Sequence, residues 1–129
     1  MILCSADKSG EVLTVSYSRR VGLEQMRGCL ATLRDLVNHL KPGFLLLTDL
    51  THLDSMDASC APVIGTIMDL CRERGLAAVV RVIPDPEKDI GLDLISRFHL
   101  YPQVKTQTHK SLAEAIKSLL SERLSEKAA

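Results

Sequence analysis

Two short apolar runs, at residues 44–47 and 76–83, constrain the fold of this chain more than any other feature. Phe44, Leu45, Leu46 and Leu47 lead into Thr48, Asp49 and Leu50, and the second run is rich in Val and Ile. Neither run alternates polar with apolar and both are short for a helix, so each reads as a strand covered on both faces. Strands of that kind sit inside a largely parallel sheet, whose crossovers are usually helices.

The helices are present. Leu23, Met26, Leu30, Leu33, Val37 and Leu40 recur at three and four residues, the stripe of an amphipathic helix, and Pro42 and Gly43 end it. Cys60, Val63, Ile64, Ile67, Leu70 and Cys71 form a second stripe stopped by Gly75. Pro62 is tolerated only in a first turn, so the cap of that helix falls at 57–59, with Ser59 placing the proline most comfortably. Between the first buried strand and this helix, residues 51–57 read as a polar loop.

The flanks complete the pattern. Runs at 2–5 and 12–16 surround Asp7, Lys8, Ser9 and Gly10, as a hairpin would. Pro84, Asp85 and Pro86 predict a stop, a cap and the start of a short helix burying Ile90, Leu94 and Phe98. A last strand at 104–106 precedes a capping box of Ser111 and Glu114, opening a helix that buries Leu112, Ile116 and Leu119. The predicted order is ββαβαβαβα: an α/β domain with a mixed, mostly parallel sheet and four flanking helices, spanning 1–120, followed by a charged C-terminal tail at 121–129.

Charge and composition exclude several functions. Sixteen basic residues balance sixteen acidic ones, so no overall field draws the chain to nucleic acid, and two Tyr, two Phe and no Trp make a poor base-stacking platform. No apolar run approaches the ~20 residues of a membrane helix, which predicts a cytoplasmic protein rather than an integral membrane one. Cys4, Cys29, Cys60 and Cys71 lack the close spacing of zinc ligands; the last three fall in apolar helical stretches and read as small hydrophobes. The glycines never group into a phosphate-cradling loop.

The order of elements and the stretch from Leu47 through Asp57, Ala58, Ser59 and Cys60 to Ile64 resemble the STAS family, the fold of the bacterial anti-sigma factor antagonists. In that family a buried strand leads to an Asp-Ser-Ser-Gly motif that opens a helix. Matching the motif to Asp54 and Ser55 leaves the helix up to Gly75 about one turn too long, whereas matching it to Asp57-Ala58-Ser59-Cys60 keeps both distances. The resemblance continues through Arg74-Gly75, the strand to Ile83, Phe98-His99-Leu100-Tyr101 and Ser111-Leu112-Ala113-Glu114-Ala115. It implies a non-catalytic module that binds a protein partner, an anti-sigma factor or a kinase-like regulator, through Asp54, Ser55, Met56, Asp57, Ala58 and Ser59.

The departures matter as much. The family's phosphoacceptor serine falls on Ala58, which has no oxygen to carry a phosphate, so switching by phosphorylation there is not expected; Ser59 and Ser55 are the alternative phosphoacceptors. Cys60 replaces the motif glycine, and Ser18-Arg19-Arg20 stands where relatives carry an acidic residue. Each residue also has a plainer reading: Asp57 and Ser59 suit a helix cap, Arg19 and Arg20 suit a solvated surface, and His52 with Asp54 and Asp57 lacks the nucleophile or third ligand that catalysis or a metal would need. No catalytic residue, metal or cofactor is assigned, and a homodimer remains open. The alternative function is small-ligand sensing, with a lipid or nucleotide held between helices and sheet.

Overall fold

A computed structural model describes residues 1–89, 91, 95, 99, 100 and 103–128. Strands β1 (Ile2–Ala6) and β2 (Val12–Val21) form the hairpin, with Leu3 opposite Ser16 and Ser5 opposite Thr14. Asp7 closes it by accepting the backbone N–H groups of Glu11 and Val12 at 2.9 and 3.0 Å. Gly10 adopts φ +72° there, and a Cβ on it would lie 2.4 Å from the His39 carbonyl oxygen, so the turn requires glycine.

Helix α1 (Leu23–Leu36) ends in a 3₁₀ turn (Val37–His39) and leads to β3 (Leu45–Met56). Helix α2 (Ala61–Glu73), β4 (Ala78–Val82), β5 (Lys105–His109) and α3 (Leu112–Ala128) follow. The sheet order is β1-β2-β3-β4-β5, with β1 antiparallel to β2 and every other pair parallel. The mixed, mostly parallel sheet expected from the buried runs is therefore present. Among the described residues there are three α-helices rather than four; Pro86–Asp89 makes a 3₁₀ turn, and Ile90, Leu94 and Phe98, expected to anchor a fourth helix, lie outside the described residues.

Each sheet face builds its own core. Leu13, Val15, Tyr17, Leu46, Leu50 and Val79 pack on one face with Met26, Cys29 and Leu33 of α1 and Ile64, Ile67 and Cys71 of α2. On the other, Leu45, Leu47, Ala78, Val80 and Val82 meet Ala115 and Leu119 of α3. Arg81 is also buried, at 2% exposure, on the α1–α2 side. His99 reaches α2 from the following segment: its Nδ1 lies 2.7 Å from Asp69, and Arg72 donates to its carbonyl at 2.8 Å. Gly65 provides the room, since a Cβ there would stand 2.7 Å from the imidazole.

Three sequence expectations are corrected. Residues 51–56 are strand, not loop: β3 runs on to Met56, pairing with the end of β2 through two register shifts. The first shift, between Asp49 and His52, lets Leu50 and Leu53, three apart, both reach full burial, a spacing that hides a strand from a search for strict alternation. Helix α3 buries Ala115 and Leu119, while Leu112 and Ile116 remain 42% exposed because the helix lies over the sheet along a different stripe. Nor does the last helix give way to a tail at Ser121. The helix continues to Ala128, held by Arg123 to Glu11 at 2.6 Å and by Glu122 to Lys105 at 2.6 Å.

Candidate functional site

β4 pairs only with Leu45–Asp49 of β3, so the remainder of β3 projects past it as a two-stranded ribbon with the end of β2. Leu50 and Leu53 anchor the ribbon beneath, and Arg19, Arg20, His52, Asp54 and Ser55 are exposed on it. The ribbon lies at the C-terminal end of the parallel strands, the end at which open α/β sheets present their binding sites. Arg19 has φ +60°, the described non-glycine residue in the left-handed region, and sits at the bulge opposite Leu53; Arg20 falls opposite Ser55 and Val21 opposite Met56. The two arginines therefore stand beside the segment that the sequence singled out, a proximity invisible in a chain where more than thirty residues separate them.

At the ribbon's end the chain turns into α2. The N–H of Asp57 donates to the Val21 carbonyl at 3.0 Å, which fixes where the turn begins. The Asp57 carboxylate then accepts both the Ser59 N–H and the Ser59 hydroxyl, each at 3.0 Å. It caps a single 3₁₀ turn (Ala58–Cys60) that continues into α2, with Pro62 in the first α-helical turn, where a missing N–H is harmless. The launch is thus at Asp57 and not at Ser55, and the cap is Asp57 rather than Ser59. These hydrogen bonds to the charged form hold the Asp57 carboxyl below its ordinary range.

Ala58 and Ser59 are exposed on this first turn, Met56 is half-buried, and Cys60 points inward at 0% exposure. Burial, followed by the nearby Asp57 charge, pushes the Cys60 thiol up. A shallow hollow of about 40 Å³ lies between Met56, Ala58, Ala61, Ile64 and Ile95. The hollow between α2 and the sheet, bordered by Tyr17, Thr48, Ile67 and Arg81, measures about 30 Å³, the space of a water or two. A larger surface hollow of about 220 Å³, beside Glu11, Pro42 and Arg123, is at the opposite end of the strands. Among the described residues no three His, Cys, Asp or Glu side chains come together as metal ligands, and no helix is long and apolar enough to cross a membrane.

No protein-family model matches this sequence, and no curated protein matches it by sequence. Solved structures do. An uncharacterized protein of the DUF3478 family with a SpoIIAA-like fold, from Shewanella loihica, superposes with a TM-score of 0.66 at 13% identity, covering 92% of each chain. The anti-sigma factor antagonist SpoIIAA in its unphosphorylated form gives 0.62 at 12% identity over 93% of this chain and 98% of its own. The structure of the diguanylate cyclase SiaD in complex with its activator SiaC from Pseudomonas aeruginosa gives 0.52 at 14% identity over 84% and 93%. The chain therefore has the STAS-like fold of the anti-sigma factor antagonists.

The cap carries a pH signature. A carboxyl whose folded pKa is depressed stabilises fully above its unfolded value, near 3.8, and that contribution is lost as pH falls through the lower folded value. Asp57→Ala is expected to lower the urea midpoint at pH 7, and the gap to the parent protein is expected to narrow steadily below pH 4, as followed by circular dichroism. A gap that stays constant down to pH 2.5 would show that the carboxylate does not act as the cap.

Proposed function

We propose that this chain is a non-catalytic, protein-binding regulatory module of the anti-sigma factor antagonist kind, docking its partner through Asp54, Ser55, Met56, Asp57, Ala58 and Ser59. The observation that carries this reading is the anchored, hydrogen-bonded presentation of that segment. It is a polar, exposed surface held by buried Leu53 below, by the Val21 carbonyl at its end and by the Asp57 cap. A surface ordered before binding gives up less conformational entropy when a partner arrives.

The fold supports the same reading, since SpoIIAA is an anti-sigma factor antagonist and SiaC is described as an activator in complex with SiaD. Arg19 and Arg20 next to Asp54 and Asp57 give the surface both signs of charge. That pattern fits a protein face with complementary charges better than a polyanion. An acid–base role for His52 and Asp54 draws no support from their placement, because both are exposed to water on the ribbon.

On this reading position 58 is the departure from the family motif that bears on switching. Ala58 occupies the first turn where a phosphoserine would sit, and its methyl group cannot carry a phosphate there. Ser59 is committed to Asp57 by its hydroxyl, which leaves Ser55 the freer of the two alternative phosphoacceptors.

Ala58→Arg and Ser59→Arg place bulk on the exposed turn without removing the cap. Each is expected to weaken capture of a protein partner by at least about tenfold, or ~1.4 kcal/mol, with an unchanged circular dichroism spectrum. Full capture by both variants would eliminate the turn as the docking surface. Incubation with an anti-sigma-type kinase and ATP is expected to leave position 58 unmodified, with any added phosphate mapping to Ser55 or Ser59 by tryptic peptide mass; phosphate on neither the protein nor its peptides would limit the module to binding alone.

A further inference from the structure

The four cysteines, dispersed in sequence, are brought to one side of the sheet. Cys4 on β1 and Cys29 on α1 place their sulfurs 3.3 Å apart, in mutual hydrogen-bonding contact, although 25 residues separate them. A groove of about 470 Å³ opens directly onto this pair, lined by Met1, Ile2, Gln25, Gly28 and Thr32 as well as the two cysteines. Gly28 keeps its wall low: a Cβ on Gly28 would have no atom within 4 Å. Cys4 is partly exposed, while Cys29, Cys60 and Cys71 are buried.

We propose that Cys4 and Cys29 are a peroxide-oxidisable dithiol, a modification site that ties the edge strand of the sheet to the first helix. The two thiols are chemically unequal. The hydrogen bond from Cys29 lowers the pKa of Cys4, and that same bond together with burial pushes Cys29 up. Cys4 is the attacking sulfur: its thiolate takes the distal oxygen of hydrogen peroxide, the O–O bond breaks, and water leaves after protonation. Cys29 then attacks the Cys4 sulfenic sulfur, its thiol proton joins the departing hydroxide, and a second water is released. Overall, two thiols and one peroxide give one disulfide and two waters. Bond formation needs an approach of roughly 1.2 Å shared between two side chains already in contact.

The other two thiols supply the contrast. Cys71 lies under α2 with its pKa pushed up to about 12 by burial, and Cys60 is closed in beneath the helix launch. Neither borders the groove.

The experiment uses the full, reduced chain treated with a small excess of hydrogen peroxide, quenched with a thiol-alkylating agent under denaturing conditions. The expected product has two alkylated cysteines, a mass two hydrogens below the reduced chain before alkylation, and a non-reducing tryptic digest in which peptide 1–8 is joined to peptide 28–34. Dithiothreitol is expected to restore four alkylation sites. Cys29→Ser is expected to abolish the cross-link, and Cys71→Ser to leave it in place. Four alkylated cysteines after treatment would overturn the proposal, as would a cross-link to Cys60 or Cys71 or a disulfide between two chains through Cys4.

Discussion

The pairing of β2 with β3 beyond the reach of β4 is the constraint on which the rest of the structure depends. Five residues of β3 are flanked on both sides, by β2 and β4, and that shared stretch forms the centre of the sheet. Past Asp49 the strand partner of β3 among the described residues is β2 alone, and the ribbon survives because Leu50 and Leu53 are withdrawn completely from water. Burying one such side chain contributes about 1.5–3 kcal/mol, enough to hold a segment whose other residues are polar. The bulges are what make this possible, since a regular strand would turn one of those two leucines outward.

From that ribbon the helix launch follows. The Val21 carbonyl receives the Asp57 N–H, the Asp57 carboxylate receives Ser59, and Cys60 drops into the interior below. The contact to Val21 fixes the first turn of α2 relative to β2. Ala58, exposed on that turn, carries no hydroxyl.

Much of this was legible in the sequence, for identifiable reasons. Residues 44–47 and 76–83 announced buried parallel strands because, Arg81 apart, both faces were apolar, and Pro62 bounded the start of α2 because its ring forbids a helix interior. The ribbon was not legible, because Thr51, His52, Asp54 and Ser55 have the composition of a loop and the bulges break the period of two. Leu112 and Ile116 were misplaced for a related reason: α3 is apolar on more than one stripe, and periodicity alone does not say which stripe faces the sheet. The neighbours Arg20 and Ser55, and the sulfurs of Cys4 and Cys29, depend on strand register and helix docking, which leave no local trace in the chain.

Hydrogen exchange at single-residue resolution addresses the central claim most directly, because it reads the ribbon and the launch without any substitution. Slow exchange at the Asp57 amide, comparable to that at Leu47 in the sheet, is the predicted result, since that N–H is bound to the Val21 carbonyl. Exchange at the rate of an open chain from 51 to 57 would mean that this segment is a solvated loop, and the rigid surface built upon it would not exist.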